Sequence, residues 1–163
     1  MKAAYFKGPE RVEVREVPVP QPGPRQVLVR VEACGICSFD LHCYHRTDED
    51  WHTQGHEMGG IVEETGAEVH DLEKDQRVSI IGSLPCGECP HCRAGEPAYC
   101  LWPESRPFDG FSEYIVREPR FLLPAGDLAA EEAALLEPLT VALDMVRDGA
   151  VKRGKPALIM GIG

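Results

Sequence analysis

Four cysteines, Cys86, Cys89, Cys92 and Cys100, stand at C-x2-C-x2-C-x7-C in a stretch broken by Pro85, Gly87, Pro90, Gly95 and Pro97. Four thiolates this close in sequence can enclose one zinc ion tetrahedrally, with bonds of roughly 2.3 Å and no open position. Such a site staples a loop, and any reactive metal must lie elsewhere. Disulfides or an iron–sulfur cluster are the competing readings. Disulfide frameworks belong mainly to small secreted chains, whereas this one opens MKAAYFKGPERVEV, without an apolar signal core. It also lacks an apolar run of about 20 residues. Three further cysteines, Cys34, Cys37 and Cys43, leave an odd number outside the cluster. A cytoplasmic location and no membrane partner are the expectation.

A second set of donors is spread along the chain. Gly35 to His42 (G-I-C-S-F-D-L-H) and Gly55 to Gly60 (G-H-E-M-G-G) each place a zinc-type donor between glycines, which makes Cys37 and His56 a possible pair. A catalytic zinc takes three protein ligands and keeps one exchangeable position. Two residues offer the third: Glu57, next to His56, and Glu137, in the apolar stretch L-L-E-P-L, where a carboxylate without a partner would be costly to bury. The competing reading makes Cys37 a small core residue and His56 a surface turn histidine.

The elements that must position these groups are mostly strands. Alternation and turn residues predict strands over Lys2–Lys7, Val12–Val17, Val27–Val31, Gly60–Thr65, Arg77–Ile81, Phe111–Val116 and Phe121–Leu123. Gly8-Pro9-Glu10 closes an opening hairpin, and Pro18, Pro20, Pro22 and Pro24 hold an extended connector. Two helices are expected. One, Asp40–Tyr44, follows Cys37; the other spans about Ala130–Val146, with Asp127 as N-cap and a break at Pro138.

At 163 residues and 43 % hydrophobic, the chain can bury one ordinary core. With 14 prolines and 16 glycines it is not a helical bundle, and a net charge of −10 gives nucleic acid or an anionic membrane little to hold. The C-terminus is different in kind: Ala157-Leu158-Ile159-Met160 is a predicted strand followed by Gly161-Ile162-Gly163. This is half of the G-x-G-x-x-G fingerprint that cradles a dinucleotide pyrophosphate, without the third glycine, the helix or the acidic residue. Gly161 and Gly163 are candidate cofactor contacts, with a chance turn as the competing reading.

Five stretches taken together, in order and spacing, carry a resemblance: G-I-C-x2-D-x-H at Gly35–His42, G-H-E-x2-G at Gly55–Gly60 with Gly66 behind it, the four-cysteine loop, Gly110-Phe111-Ser112-Glu113-Tyr114, and Glu137-Pro138-Leu139. The chain resembles the zinc-containing medium-chain alcohol dehydrogenase family, and its Glu-Pro-Leu stretch resembles the polyol (sorbitol dehydrogenase-like) branch. The resemblance implies a mostly β, GroES-like, partly open barrel with a few short helices over residues 1–146. Residues 147–163 would then be the truncated start of a Rossmann domain. It also implies one structural and one catalytic zinc, NAD or NADP on the further domain, and a small alcohol or polyol as substrate.

Position by position, the resemblance makes Cys37 and His56 ligands of the catalytic zinc, with Glu57 or Glu137 completing the shell. Asp40 matches the acid that orients the ligating histidine, and His42 the solvent end of the family's proton relay. Two positions depart from the pattern. Phe39 stands where a Ser or Thr hydroxyl normally passes the substrate proton outward, so that Glu57 or a water leading to His42 would have to serve. Asp144 stands where the polyol branch commonly has His. The chain is accordingly expected to be a piece of a dehydrogenase of roughly double the length, inactive alone. Its uncovered C-terminal strand would invite self-association. The alternative from another class is a stand-alone zinc-stapled binding or assembly module.

Overall fold

The computed structural model describes residues 1–46 and 49–160. The opening hairpin forms as the turn residues require: β1 (Lys2–Lys7) and β2 (Arg11–Glu16) pair antiparallel, Lys2 opposite Glu16 and Lys7 opposite Arg11. A short β4 (His52–Thr53) adds to the other edge of β1 and completes a three-stranded sheet.

The main sheet has five antiparallel strands: β3 (Val27–Gly35), β5 (Glu57–Thr65), β6 (Arg77–Ile80), β9 (Tyr114–Arg117) and β10 (Leu122–Pro124). Their order is β10-β6-β5-β3-β9, so β3 and β5 lie at the centre. Val27, Val29, Met58, Val62, Val78, Ile80, Ile115 and Leu122 form the core with Leu72. Burying each of these side chains contributes roughly 1.5–3 kcal/mol. An isolated bridge between Ala3 and Ser112 links the two sheets, which do not close into one ladder. The barrel is therefore open, as expected.

β5 starts three residues earlier than its glycines suggest. Gly59 and Gly60 lie in the strand because they allow close approach. A Cβ on Gly59 would stand 2.1 Å from the Ala130 carbonyl oxygen, and one on Gly60 2.4 Å from that of Arg30. β3 likewise runs on to Gly35, so the strand ends, rather than loops, deliver Cys37 and His56. Phe111 lies before β9 and is held by backbone bonds to Ala4 and Gln54.

α1 (Ser38–His45) follows Cys37 as predicted. The second predicted helix is two: α3 (Ala130–Ala134) and α4 (Leu136–Asp148). Pro138 falls in the first turn of α4, where its missing N–H costs nothing, and its ring opposes continuation past the carbonyl of Ala134. The break therefore comes one turn upstream, at Leu135. Asp127 is not the cap: α3 starts after Ala129, whose amide is bound by the Glu132 carboxylate at 2.7 Å. The short helix α2 (Pro90–Arg93) belongs to the four-cysteine loop, which the ribbon of β7 (Ser83–Leu84) and β8 (Glu104–Ser105) closes at its base.

The predicted strand over Ala157–Met160 does not form. Those residues carry no ladder bonds, and Leu158, Ile159 and Met160 are 85 %, 73 % and 84 % exposed, because no described strand lies beside them to pair with. Among the described residues no helix is long and apolar enough to cross a membrane.

Candidate functional site

Among the described residues, two clusters of metal-type donors occur, and both were legible in the sequence. In the first, one atom each of Cys86, Cys89, Cys92 and Cys100 lies within 4.8 Å of every other, with all four cysteines free. Backbone amides point at the sulfurs: Cys86 N–H donates to Cys100 Sγ (3.2 Å), Cys89 N–H to Cys86 Sγ (3.3 Å) and Cys92 N–H to Cys89 Sγ (3.4 Å). Amide donors favour the thiolate form. The Cys92 amide pulls the Cys89 thiol down to about 6, and the Cys86 amide lowers that of Cys100, while burial pushes Cys92 up to about 12. The set is closed by four sulfurs and has no place for a substrate atom.

The second cluster joins Cys37, His56 and Glu57, whose donor atoms also lie within 4.8 Å of one another. Cys37 precedes α1, and His56 and Glu57 stand where β5 begins. Asp40, only 2 % exposed, brings the two segments together. One carboxylate oxygen accepts the Cys37 amide at 2.8 Å and the other accepts the Gly55 amide at 3.3 Å. The same carboxylate stands 3.8 Å from Nδ1 of His56, a buried nitrogen without a hydrogen-bond partner. Gly55 has a φ of +94°, and a Cβ there would come 2.8 Å from the Phe111 nitrogen, so the turn into His56 requires glycine.

Glu57 owes its position to Gly35. The two are paired across β3 and β5, and a Cβ on Gly35 would stand 2.1 Å from Glu57 Oε2. The carboxylate occupies the space that any other residue at position 35 would fill. Glu137, on α4, is not part of the three-donor group but is close enough for His56 and Glu57 to act on it. Burial raises its carboxyl pKa, an effect that His56 opposes and Glu57 reinforces. Cys34, the neighbouring thiol, is pushed up to about 12, chiefly by burial.

The surroundings of His56 are aromatic. Phe108 lies tilted against it at 4.8 Å between ring centroids, and Phe39 meets it edge-on at 6.1 Å and 75°. Phe39 and Phe108 are themselves T-shaped, 5.7 Å apart. His42 is exposed on α1, and the ring nearest to it is again Phe39, at 6.5 Å. Phe108 escaped the sequence reading because it lies in the connector after the cysteine loop, where no periodicity marks a pocket residue. Asp144 pairs with Arg147 one turn along α4. Gly161 and Gly163 lie outside the described residues.

The family described as "Alcohol dehydrogenase GroES-like domain" matches residues 23–127. The chain is 37 % identical over 162 residues to an L-threonine 3-dehydrogenase of Xanthomonas axonopodis pv. citri (strain 306), covering 92 % of this chain and 47 % of that protein. To a sorbitol dehydrogenase of Bacillus subtilis (strain 168) it is 32 % identical, covering 100 % of this chain and 49 % of the relative. A structure from Sinorhizobium meliloti 1021, described as a zinc-binding dehydrogenase bound to NADP, superposes with a TM-score of 0.77 at 34 % identity, over 90 % of this chain and 44 % of that one. The chain thus spans about half the length of the relatives it matches.

Proposed function

Because the chain belongs to the alcohol dehydrogenase GroES-like domain family, we propose that it is the zinc-binding catalytic domain of an alcohol or polyol oxidoreductase that uses NAD or NADP. The observation that carries this reading is the meeting of a thiol, an imidazole and a carboxylate, from two segments of chain about twenty residues apart, within 4.8 Å of one another. That is the donor set of a zinc site with one position left open, and it stands apart from the closed four-thiolate set. The donor chemistry fits zinc in both places. Cys86, Cys89, Cys92 and Cys100 would hold the ion that fixes the loop, and Cys37, His56 and Glu57 the reactive one.

A zinc bound at the open set would supply Lewis acidity toward a hydroxyl oxygen, and a nicotinamide held by a further domain would supply the hydride acceptor. The chain's own residues do the rest. Asp40 keeps Cys37 and the Gly55–His56 turn at fixed spacing and faces Nδ1 of His56, which leaves the other ring nitrogen for the metal. Gly35 makes room for the Glu57 carboxylate, and Glu137 is the reserve third donor. Phe39 has no exchangeable proton, so the proton leaving a substrate hydroxyl would pass through water toward the exposed His42, or to Glu57 where Glu137 takes its place as the third donor.

The test is metal counting on the purified chain. The reading expects two zinc ions per chain, of which one is stripped by a chelator much faster than the other. One tightly held zinc, with none at Cys37 and His56, would leave only the loop staple and favour a binding or assembly module.

A further inference from the structure

We infer that Phe39 and Phe108 form the specificity wall of the open metal set and select alcohols whose carbinol carbon bears an apolar, ring-like or branched group, at the expense of polyols. This rests on the reading of Cys37, His56 and Glu57 as an open zinc site and adds to it the substrate class. The two rings meet edge to face at 5.7 Å, and both contact the His56 ring, Phe108 at 4.8 Å and Phe39 at 6.1 Å. A substrate oxygen held at the cluster therefore brings its carbon substituents against carbon surface.

Phe39 is 43 % exposed, whereas the side chain of His56, which it meets edge-on, is only 12 % exposed. The outer edge of Phe39 is thus a bare apolar surface beside a polar, metal-type cluster. Ile36, directly before Cys37, is 72 % exposed and extends the apolar character of the same segment. An apolar substituent gains by displacing water from such a surface, and aromatic edge and face contacts add to the gain. A polyol has further hydroxyl groups that must give up water, and phenylalanine rings return no hydrogen bond to them. Of the polar side chains at the cluster, Cys37, His56 and Glu57 are taken up as donors and Asp40 by the Cys37 and Gly55 amides, which leaves the Glu137 carboxyl.

An apolar wall rejects an added hydroxyl only moderately, by up to about 100-fold, which sets the scale of the preference. Phe39 and Phe108 act here as specificity residues that touch the substrate's substituent without entering the proton or hydride path.

The test uses the 163-residue chain loaded with cobalt(II), whose visible absorption reports on the coordination sphere, titrated with 1-phenylethanol and, separately, with glycerol. The closed four-thiolate site should not respond to either. At the open site the spectrum should shift with an apparent Kd at least about tenfold lower for 1-phenylethanol than for glycerol. Phe39→Ala should bring the two alcohols within about threefold of each other while keeping two cobalt ions per chain, and Phe39→Leu, which keeps carbon bulk, should retain most of the preference. Equal affinities in the unaltered chain, or an undiminished preference in Phe39→Ala with both cobalt ions in place, would overturn the inference. Cobalt bands from the four-thiolate site alone would instead overturn the underlying reading of an open site, and the inference with it.

Discussion

Asp40 and Gly55 are joined by a hydrogen bond of 3.3 Å from the Gly55 amide to the Asp40 carboxylate, buried and fifteen residues apart in the chain. The other oxygen of the same carboxylate caps α1 through the Cys37 amide. One side chain thus ties the segment of Cys37 to the segment of His56, the first two residues of the proposed open metal set. Its cost is a buried charge, which two amide donors and the nearby imidazole offset.

Replacing Asp40 by alanine leaves two amides without their partner and the His56 ring without its facing carboxylate. The expected result is a loss of about 1–3 kcal/mol in urea unfolding, and a fall of about 10–100-fold in metal affinity at the open set. The four-cysteine site should keep its affinity. Competition with a chromogenic chelator separates the two, and an Asp40→Ala chain that holds both ions as tightly as before would refute the clamp.

Gly35→Ala places a Cβ 2.1 Å from Glu57 Oε2, the end of a side chain that can swing away. Stability should change by less than about 1 kcal/mol, but open-set metal affinity should fall by about tenfold or more as Glu57 is displaced. Gly59→Ala is the contrasting case. Its Cβ meets the Ala130 carbonyl oxygen, part of the backbone, at 2.1 Å, so the loss should show in unfolding, at about 1–3 kcal/mol. If the two variants give the same pattern, the assignment of Gly35 to the site and Gly59 to packing is wrong.

The cysteine lobe is tied to the main sheet by Arg106, which donates to both oxygens of Glu118 at 2.9 and 2.8 Å. That hydrogen bonding, set against some burial, holds the Glu118 carboxyl below its ordinary value of 4.5. A depressed folded value means that the pair stabilises the fold above the ordinary glutamate range and stops doing so as pH falls through the lower value. Glu118→Gln should therefore be less stable than the unaltered chain at pH 7 and approach it below pH 4.5, as thermal melts at a series of pH values will read. A constant gap across that range would show that the pair carries no linked proton.

Much of this was legible in the residues. The alternation in Lys2–Lys7 and Arg77–Ile81 and the spacing of the four cysteines are local patterns, and local patterns are what a sequence displays directly. The start of β5 was not legible, because the strand pattern begins only at Gly60 and Gly59 gives no sign of belonging to it until Ala130 is seen to press on it. Pro138 announced a break but not its place, which depends on a carbonyl four residues earlier. That Glu57 rather than Glu137 groups with Cys37 and His56 goes with the pairing of Gly35 and Glu57 across two strands, a relation that no spacing along the chain encodes. Phe108 reaches His56 only through tertiary folding.

The account turns on Cys37, His56 and Glu57 sharing one ion, and an anomalous difference map from a zinc-loaded crystal tests it most directly. The map should show two peaks per chain, one among the four cysteines and one about 2.3 Å from Cys37 Sγ and about 2.0–2.1 Å from a His56 ring nitrogen, with a solvent oxygen in the fourth position. A single peak at the four cysteines, with Cys37 and His56 directed to different neighbours, would contradict it.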